Sequence, residues 1–183
     1  MKATPIDGTD VLLITPRVFG DDRGFFLETW SARGFAEIGV DVEFVQDNMS
    51  RSRCGVLRGL HYQIEHTQGK LVRCTAGSVF DVAVDLRKSS NTFGRWIGQV
   101  LSEENKHSMW IPPGFAHGFL TLSASADFQY KCTDIYHPES ERTIQWDDST
   151  IAIEWPPIDG VDYALSKKDS SSGVAFDEAE TFD

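Results

Sequence analysis

Val56-Leu57-Arg58-Gly59-Leu60-His61-Tyr62-Gln63, answered by Lys70-Leu71-Val72-Arg73, sets a guanidinium, an imidazole and an ammonium among Leu and Val residues patterned as buried strand. Charge buried beside apolar side chains is costly unless it has a partner or a ligand, so these two segments are where a polar site is expected. Alternation along a strand puts Gln63 on the face of His61 but Arg58 on the opposite one. For Arg58 and His61 to enter one cavity the strand must carry a bulge or kink, and Gly59 is the natural position for it.

Outward from this pair the same texture continues. Residues 11–15, 25–30, 42–48, 78–86, 96–101, 108–111, 118–123, 126–133 and 143–146 also read as short strands, separated by Gly, Pro, Ser, Asn and Asp. Residues 20–24 read as a turn and 50–55 as a loop. Ser31 is placed to cap one short helix running through Ile38 and closed by Gly39. Many short strands with turn chemistry and almost no helical periodicity imply an all-β chain, an antiparallel sandwich or barrel. A single domain over 1–168 is expected, with 169–183 a C-terminal segment. Beyond Lys168 there is no Lys or Arg, and the acids and serines predict a poorly ordered acidic tail.

The net charge of -11 leaves no basic excess to displace counterions, which argues against nucleic acid or an anionic membrane as partner. Between Arg51 and Arg73 the balance reverses: Arg51, Arg53, Arg58, Lys70 and Arg73 face only Glu65. An anionic small molecule has one obvious destination. The odd set of Cys54, Cys74 and Cys132 has no metal spacing and reads as free thiols in a reducing compartment. The apolar run at 11–15 is too short for a signal segment, so a cytoplasmic location is expected.

His117 stands in Ile111-Pro112-Pro113-Gly114-Phe115-Ala116-His117, a P-x-G-x-x-H pattern that resembles the second motif of the cupins. The cupin first motif would supply H-x-H and a carboxylate, whereas here the sequence is His61-Tyr62-Gln63. Two histidines without that carboxylate fall short of a two-His-one-carboxylate centre, so no metal is assigned.

Six blocks in order make the likeness more specific. They are Gln46-Asp47-Asn48-Met49-Ser50, Gly55-Val56-Leu57-Arg58-Gly59-Leu60-His61-Tyr62-Gln63, Lys70-Leu71-Val72-Arg73-Cys74, Asp81-Val82-Ala83-Val84-Asp85-Leu86-Arg87, Ile111-Pro112-Pro113-Gly114-Phe115-Ala116-His117-Gly118-Phe119 and Tyr130-Lys131-Cys132-Thr133-Asp134. Together they resemble the dTDP-4-dehydrorhamnose 3,5-epimerase family over most of the chain. The resemblance implies a cupin-like jelly-roll homodimer, needing neither metal nor nicotinamide, that acts on a dTDP-4-keto-6-deoxy sugar. It makes His61 the general base, Asp169 the holder of its other ring nitrogen and Tyr130 the acid on the opposite face; Lys70, a substrate contact by the same resemblance, is by its charge the candidate cation for the oxyanion at C4. It assigns substrate contacts to Arg23, Glu28, Gln46, Asp47, Asn48, Arg58, His117, Glu141 and Lys168. Ser90-Asn91 and Asp148-Ser149 depart from the family, which often has proline there.

The residue types suit the chemistry. Inverting a carbon beside a ketone means removing its proton, stabilising an enolate and returning a proton to the other face. Imidazole, with an ordinary pKa of about 6.5, takes a proton near neutral pH. The competing readings are an epimerase acting at one carbon, a metal-dependent cupin oxygenase and a non-catalytic sugar-binding cupin. Tyr130 taken alone reads as a half-buried core aromatic, Phe25, Phe26 and Trp30 as core, and Asp81 and Asp85 stay undecided.

Overall fold

The computed structural model describes residues 1–183. In chain order its strands are β1 (Lys2–Pro5), β2 (Leu12–Thr15), β3 (Val18–Asp21), β4 (Gly24–Leu27), β5 (Gln46–Arg53), β6 (Leu57–Gln63), β7 (Lys70–Ala76), β8 (Ser78–Asp85), β9 (Trp96–Ser102), β10 (Ser108–Ile111), β11 (Phe115–Thr121), β12 (Ser125–Cys132) and β13 (Glu141–Thr143). Two short helices accompany them, α1 (Ala32–Glu37) and α2 (Lys167–Ser171). One sheet has the order β1-β2-β10-β7-β12-β5, the facing sheet β13-β6-β11-β8-β9, and β3–β4 form a separate hairpin. Every strand pairing is antiparallel. This is the all-β, cupin-like jelly roll that the sequence led us to expect.

Period-two patterning decides what the two sheets bury between them. Val79 and Ala83 on β8, Phe115 and Phe119 on β11, and Val72, Cys74, Ala126 and Phe128 from the facing sheet belong to one buried cluster of 14 residues. Burial of each large side chain stabilises the fold by about 1.5–3 kcal/mol. The outer face of the five-stranded sheet is also covered: Leu60, Tyr62, Val82 and Val84 pack with Ile144, Ile151 and Phe176. That second cover is why β8 reads as a nearly continuous apolar run. On the outside of the six-stranded sheet α1 lays Phe35 against Ile14, Leu71 and Trp110. Ser31 caps α1 by accepting from the Gly34 amide at 3.3 Å, and Gly39 follows at a φ of 86°, as the spacing predicted.

Four expectations are corrected. Residues 50–55 are not simply a loop, because β5 runs to Arg53; its polar side chains alternate, with Arg51 reaching outward to Asp127 on β12 at 2.5 Å. Residues 42–45 lie outside any strand, since β5 begins at Gln46. Phe25 and Phe26 are not core but 62% and 70% exposed on the β3–β4 hairpin. The C-terminal segment is laid onto the second sheet rather than loose: Phe176 is buried, its amide donates to Asp148 Oδ2 at 2.9 Å, the Tyr62 hydroxyl donates to the Glu180 carbonyl at 2.6 Å, and Phe182 pairs with Leu86 and Lys88. Apolar residues spaced between the acids hold it down. The expected junction at 168–169 lies inside α2. All three cysteines are free, and no helix is long and apolar enough to cross a membrane.

Candidate active site

Gly59 sets the geometry of β6. At a φ of +122° its backbone runs so close to β11 that a Cβ there would lie 2.6 Å from Gly118 Cα and 2.8 Å from the His117 carbonyl oxygen. The register shifts at this crossing, with His61 opposite His117 and Arg58 opposite Phe119, three steps on β6 against two on β11. The irregularity expected at Gly59 is present, and it turns Arg58 and His61 into the same space between the sheets.

His61 Nε2 lies 2.6 Å from Asp169 Oδ1. Asp169 is buried, and its other oxygen accepts from the Ser166 hydroxyl at 2.8 Å. Ser166 also caps α2, accepting from the Asp169 amide at 3.1 Å, so one serine fixes both backbone and side chain of the carboxylate. Burial opposes ionisation of Asp169, but hydrogen bonds from His61, Ser166 and the Gly59 amide outweigh it and hold its pKa below the usual carboxylate value. A carboxylate accepts only, so Nε2 carries the ring hydrogen and Nδ1 is the basic nitrogen.

The facing wall comes from the other sheet. Tyr130 on β12 pairs in register with Val72 on one side and Asn48 on the other, and Cys132 with Lys70 and Gln46. Alternation therefore sends Tyr130, Cys132, Lys70, Gln46 and Asn48 inward together. The cleft has two lobes of about 290 and 530 Å³, and His61, Lys70 and Tyr130 border both. Gln46, Asn48, Gln63, Tyr136 and Glu141 edge the smaller lobe; Arg53, Arg58, His117, Lys168 and Asp169 edge the larger. The larger lobe is thus rich in cations. Ser50, on the same wall, has a buried hydroxyl without a hydrogen-bond partner in this structure, a polar group suited to a polar ligand.

Environment tunes these groups. Burial pulls the Lys70 ammonium below its usual pKa, opposed by Cys132, Asp81 and Glu141. Burial raises the Tyr130 phenol, which keeps it protonated and able to donate. Asp81, fully buried on β8, is 3.0 Å from His117 Nε2, and burial raises its pKa against the opposing pull of His117 and Lys70. The undecided aspartates are therefore both buried and hydrogen-bonded rather than solvated: Asp81 holds His117, and Asp85 holds Arg87, Ser90 and Thr92. Glu141 accepts from the Tyr136 hydroxyl at 2.5 Å and pairs with Lys168; these contacts outweigh its burial and lower its pKa, while the Tyr136 phenol is pushed up to about 12 by its bond to Glu141.

His61, Tyr130, Asp169, Lys70, Gln46, Asn48, Arg58, His117, Glu141 and Lys168 thus meet in one cleft. Three expected contacts lie outside it in this chain. Asp47 points to the opposite face from its neighbours on β5 and pairs with Lys131 at 2.6 Å. Arg23 is 90% exposed and paired with Asp21 on the hairpin, and Glu28 accepts from the Ser31 hydroxyl. Sequence reasoning missed Ser166, Ser50 and Tyr136. The first carries a cap signature, Ser three residues before Asp, and the other two lie in segments without clear periodicity.

A family model for dTDP-4-dehydrorhamnose 3,5-epimerase matches residues 4–176. A curated protein of that description from Pseudomonas aeruginosa is 59% identical over 183 residues, covering 100% of this chain and 99% of its own. A crystal structure of a dTDP-6-deoxy-D-glucose-3,5-epimerase from Legionella pneumophila in complex with dTDP-4-keto-L-rhamnose is 52% identical at a TM-score of 0.93, covering 98% of this chain and 94% of that one. A 3′-monoepimerase from Streptomyces bikiniensis in complex with dTDP-quinovose is 31% identical at a TM-score of 0.85, covering 97% and 88%.

Proposed function

We propose, since the chain belongs to the dTDP-4-dehydrorhamnose 3,5-epimerase family, that it converts dTDP-4-dehydro-6-deoxy-D-glucose to dTDP-4-dehydro-L-rhamnose by inverting C3 and C5. It is an isomerase, and its own side chains suffice for the proton transfers. His61 Nδ1 removes the proton beside the C4 ketone, and Asp169 stabilises the imidazolium that forms. Lys70 faces the developing enolate oxygen, in a cleft whose low dielectric strengthens the attraction. Tyr130, on the opposite wall, delivers a proton to the other face of the ring. His61 then gives up its proton and Tyr130 regains one by exchange with water, so each inverted carbon carries a solvent hydrogen. Arg58, Arg53 and Lys168 suit the diphosphate, which paired N–H donors can clasp.

The observation that carries this reading is the His61–Asp169 pair on one sheet across a cleft from Tyr130 on the other, with Lys70 at the border of both lobes. In the same reading the enzyme is a cytoplasmic homodimer. The β3–β4 hairpin, with Phe25 and Phe26 exposed, is the apolar face a second copy would cover, and its turn carries Arg23, two residues before Phe25. The contacts expected of Arg23 and Glu28 are then made in the cleft of the other copy. The test is product analysis: the nucleotide sugar is incubated with the protein, reduced with borohydride and hydrolysed. L-Rhamnose among the 6-deoxyhexoses supports the reading; only D-configured or singly inverted sugars would refute it.

A further inference from the structure

Outside the cleft, His66, Asp134 and His137 come together from two separate segments, and one ligand atom from each lies within 4.8 Å of the other two. We propose that these three residues bind a single borderline transition-metal ion such as Zn²⁺, Ni²⁺ or Cu²⁺ at the rim of the cleft. Two imidazoles and one carboxylate favour such ions over Mg²⁺ or Ca²⁺, which prefer oxygen throughout.

The surroundings hold the set together before any ion arrives. Buried Gln63, at the end of β6, donates to the His66 carbonyl at 2.7 Å and accepts from the His137 amide at 2.7 Å, clipping the two segments to one side chain. His66 is held at a φ of 55°, a conformation uncommon for a residue with a β-carbon. Asp134 Oδ1 accepts from the Ile135 amide at 2.8 Å, while Oδ2 faces His66 Nδ1 at 3.6 Å. His137 Nδ1 is 3.1 Å from Glu139 Oε1, the carboxylate partner that metal-bound histidines usually keep on the nitrogen not facing the ion. That leaves His137 Nε2 as the ligand. The two rings stack at 3.9 Å with 14° between their planes, so their in-plane lone pairs lie in near-parallel planes and do not meet at one point. Binding turns the His66 ring about its Cβ–Cγ bond until they converge, and a half-exposed side chain can turn without losing core packing. The ion would tie together segments that also carry Gln63, Gln68 and Tyr136, all on the smaller lobe.

Calorimetric titration of the full chain, freed of metal with a chelator, tests this with Zn²⁺ and Ni²⁺. One equivalent is expected to bind, at least about tenfold more weakly in His66→Ala and in His137→Ala, with a smaller loss in Glu139→Gln. Cu²⁺ should give an electron paramagnetic resonance spectrum with coupling to two nitrogens. No stoichiometric binding overturns the proposal. So does binding that survives the double variant, or that is abolished by His61→Ala instead.

Discussion

His61 Nε2 and Asp169 Oδ1 are 2.6 Å apart although 108 residues separate them in sequence. The contact spans the β6 strand and the α2 helix, and it assigns the two ring nitrogens different tasks: Nε2 is held and Nδ1 works. Asp169→Asn keeps the shape but replaces an acceptor with an amide that can donate, which favours the wrong tautomer. Turnover should fall by about 10²–10⁴, the range seen when a base loses its orienting carboxylate. Steady-state kinetics check it; a loss below about tenfold would mean that Asp169 does not orient the base.

Ser166 acts on that carboxylate from the far side, at 2.8 Å. Removing its hydroxyl in Ser166→Ala takes a stabilising bond from the ionised form, so the pKa of Asp169 should rise. The acidic limb of the pH–rate profile is then expected to move to higher pH, with turnover about tenfold lower and stability down by about 1 kcal/mol from the lost cap. An unmoved acidic limb would reduce Ser166 to a helix cap.

Tyr130 stands on the sheet opposite His61, so proton removal and proton return should separate on substitution. In Tyr130→Phe, loss of the substrate's C3 and C5 hydrogens to solvent is expected to persist while inverted product falls by at least about 10². Parallel loss of both would assign Tyr130 to substrate binding.

Acid sensitivity should come in part from Asp85. Burial opposes its ionisation, but bonds from Arg87, Ser90 and Thr92 bring its pKa down to about 2. A carboxyl lowered in the folded state adds stability that is complete above its unfolded pKa of about 3.9 and lost as pH falls toward the folded value. Urea unfolding between pH 5 and pH 2 should therefore cost wild type about 2 kcal/mol more than Asp85→Asn. Equal losses would remove Asp85 from the account.

Much of this was readable before folding, and the rest failed for identifiable reasons. The α1 helix was legible because Ser31 and Gly39 carry the local signals of a start and a stop. The kink at Gly59 was legible because Arg58 and His61 cannot share a face without it. Local pattern places this strand at 42–48, too early at both ends, because Ser50, Arg51, Ser52 and Arg53 look like loop residues and only their pairing with β12 makes them strand. The acids of the C-terminal segment predict a loose tail, whereas Phe176 and Phe182 between them hold it down. The family resemblance places Asp47 in the site with its neighbours, although strand alternation alone turns it away. Tyr136 and Ser50 owe their positions to long-range pairing that no local pattern encodes.

In this mechanism one imidazole, that of His61, removes both ring protons. NMR of dTDP-4-dehydro-6-deoxy-D-glucose in deuterated water, with wild type and His61→Ala side by side, shows whether it does. Deuterium at both C3 and C5 with wild type, and at neither with the variant, is the expected result. Label appearing in the variant, or at one carbon only with wild type, would contradict it.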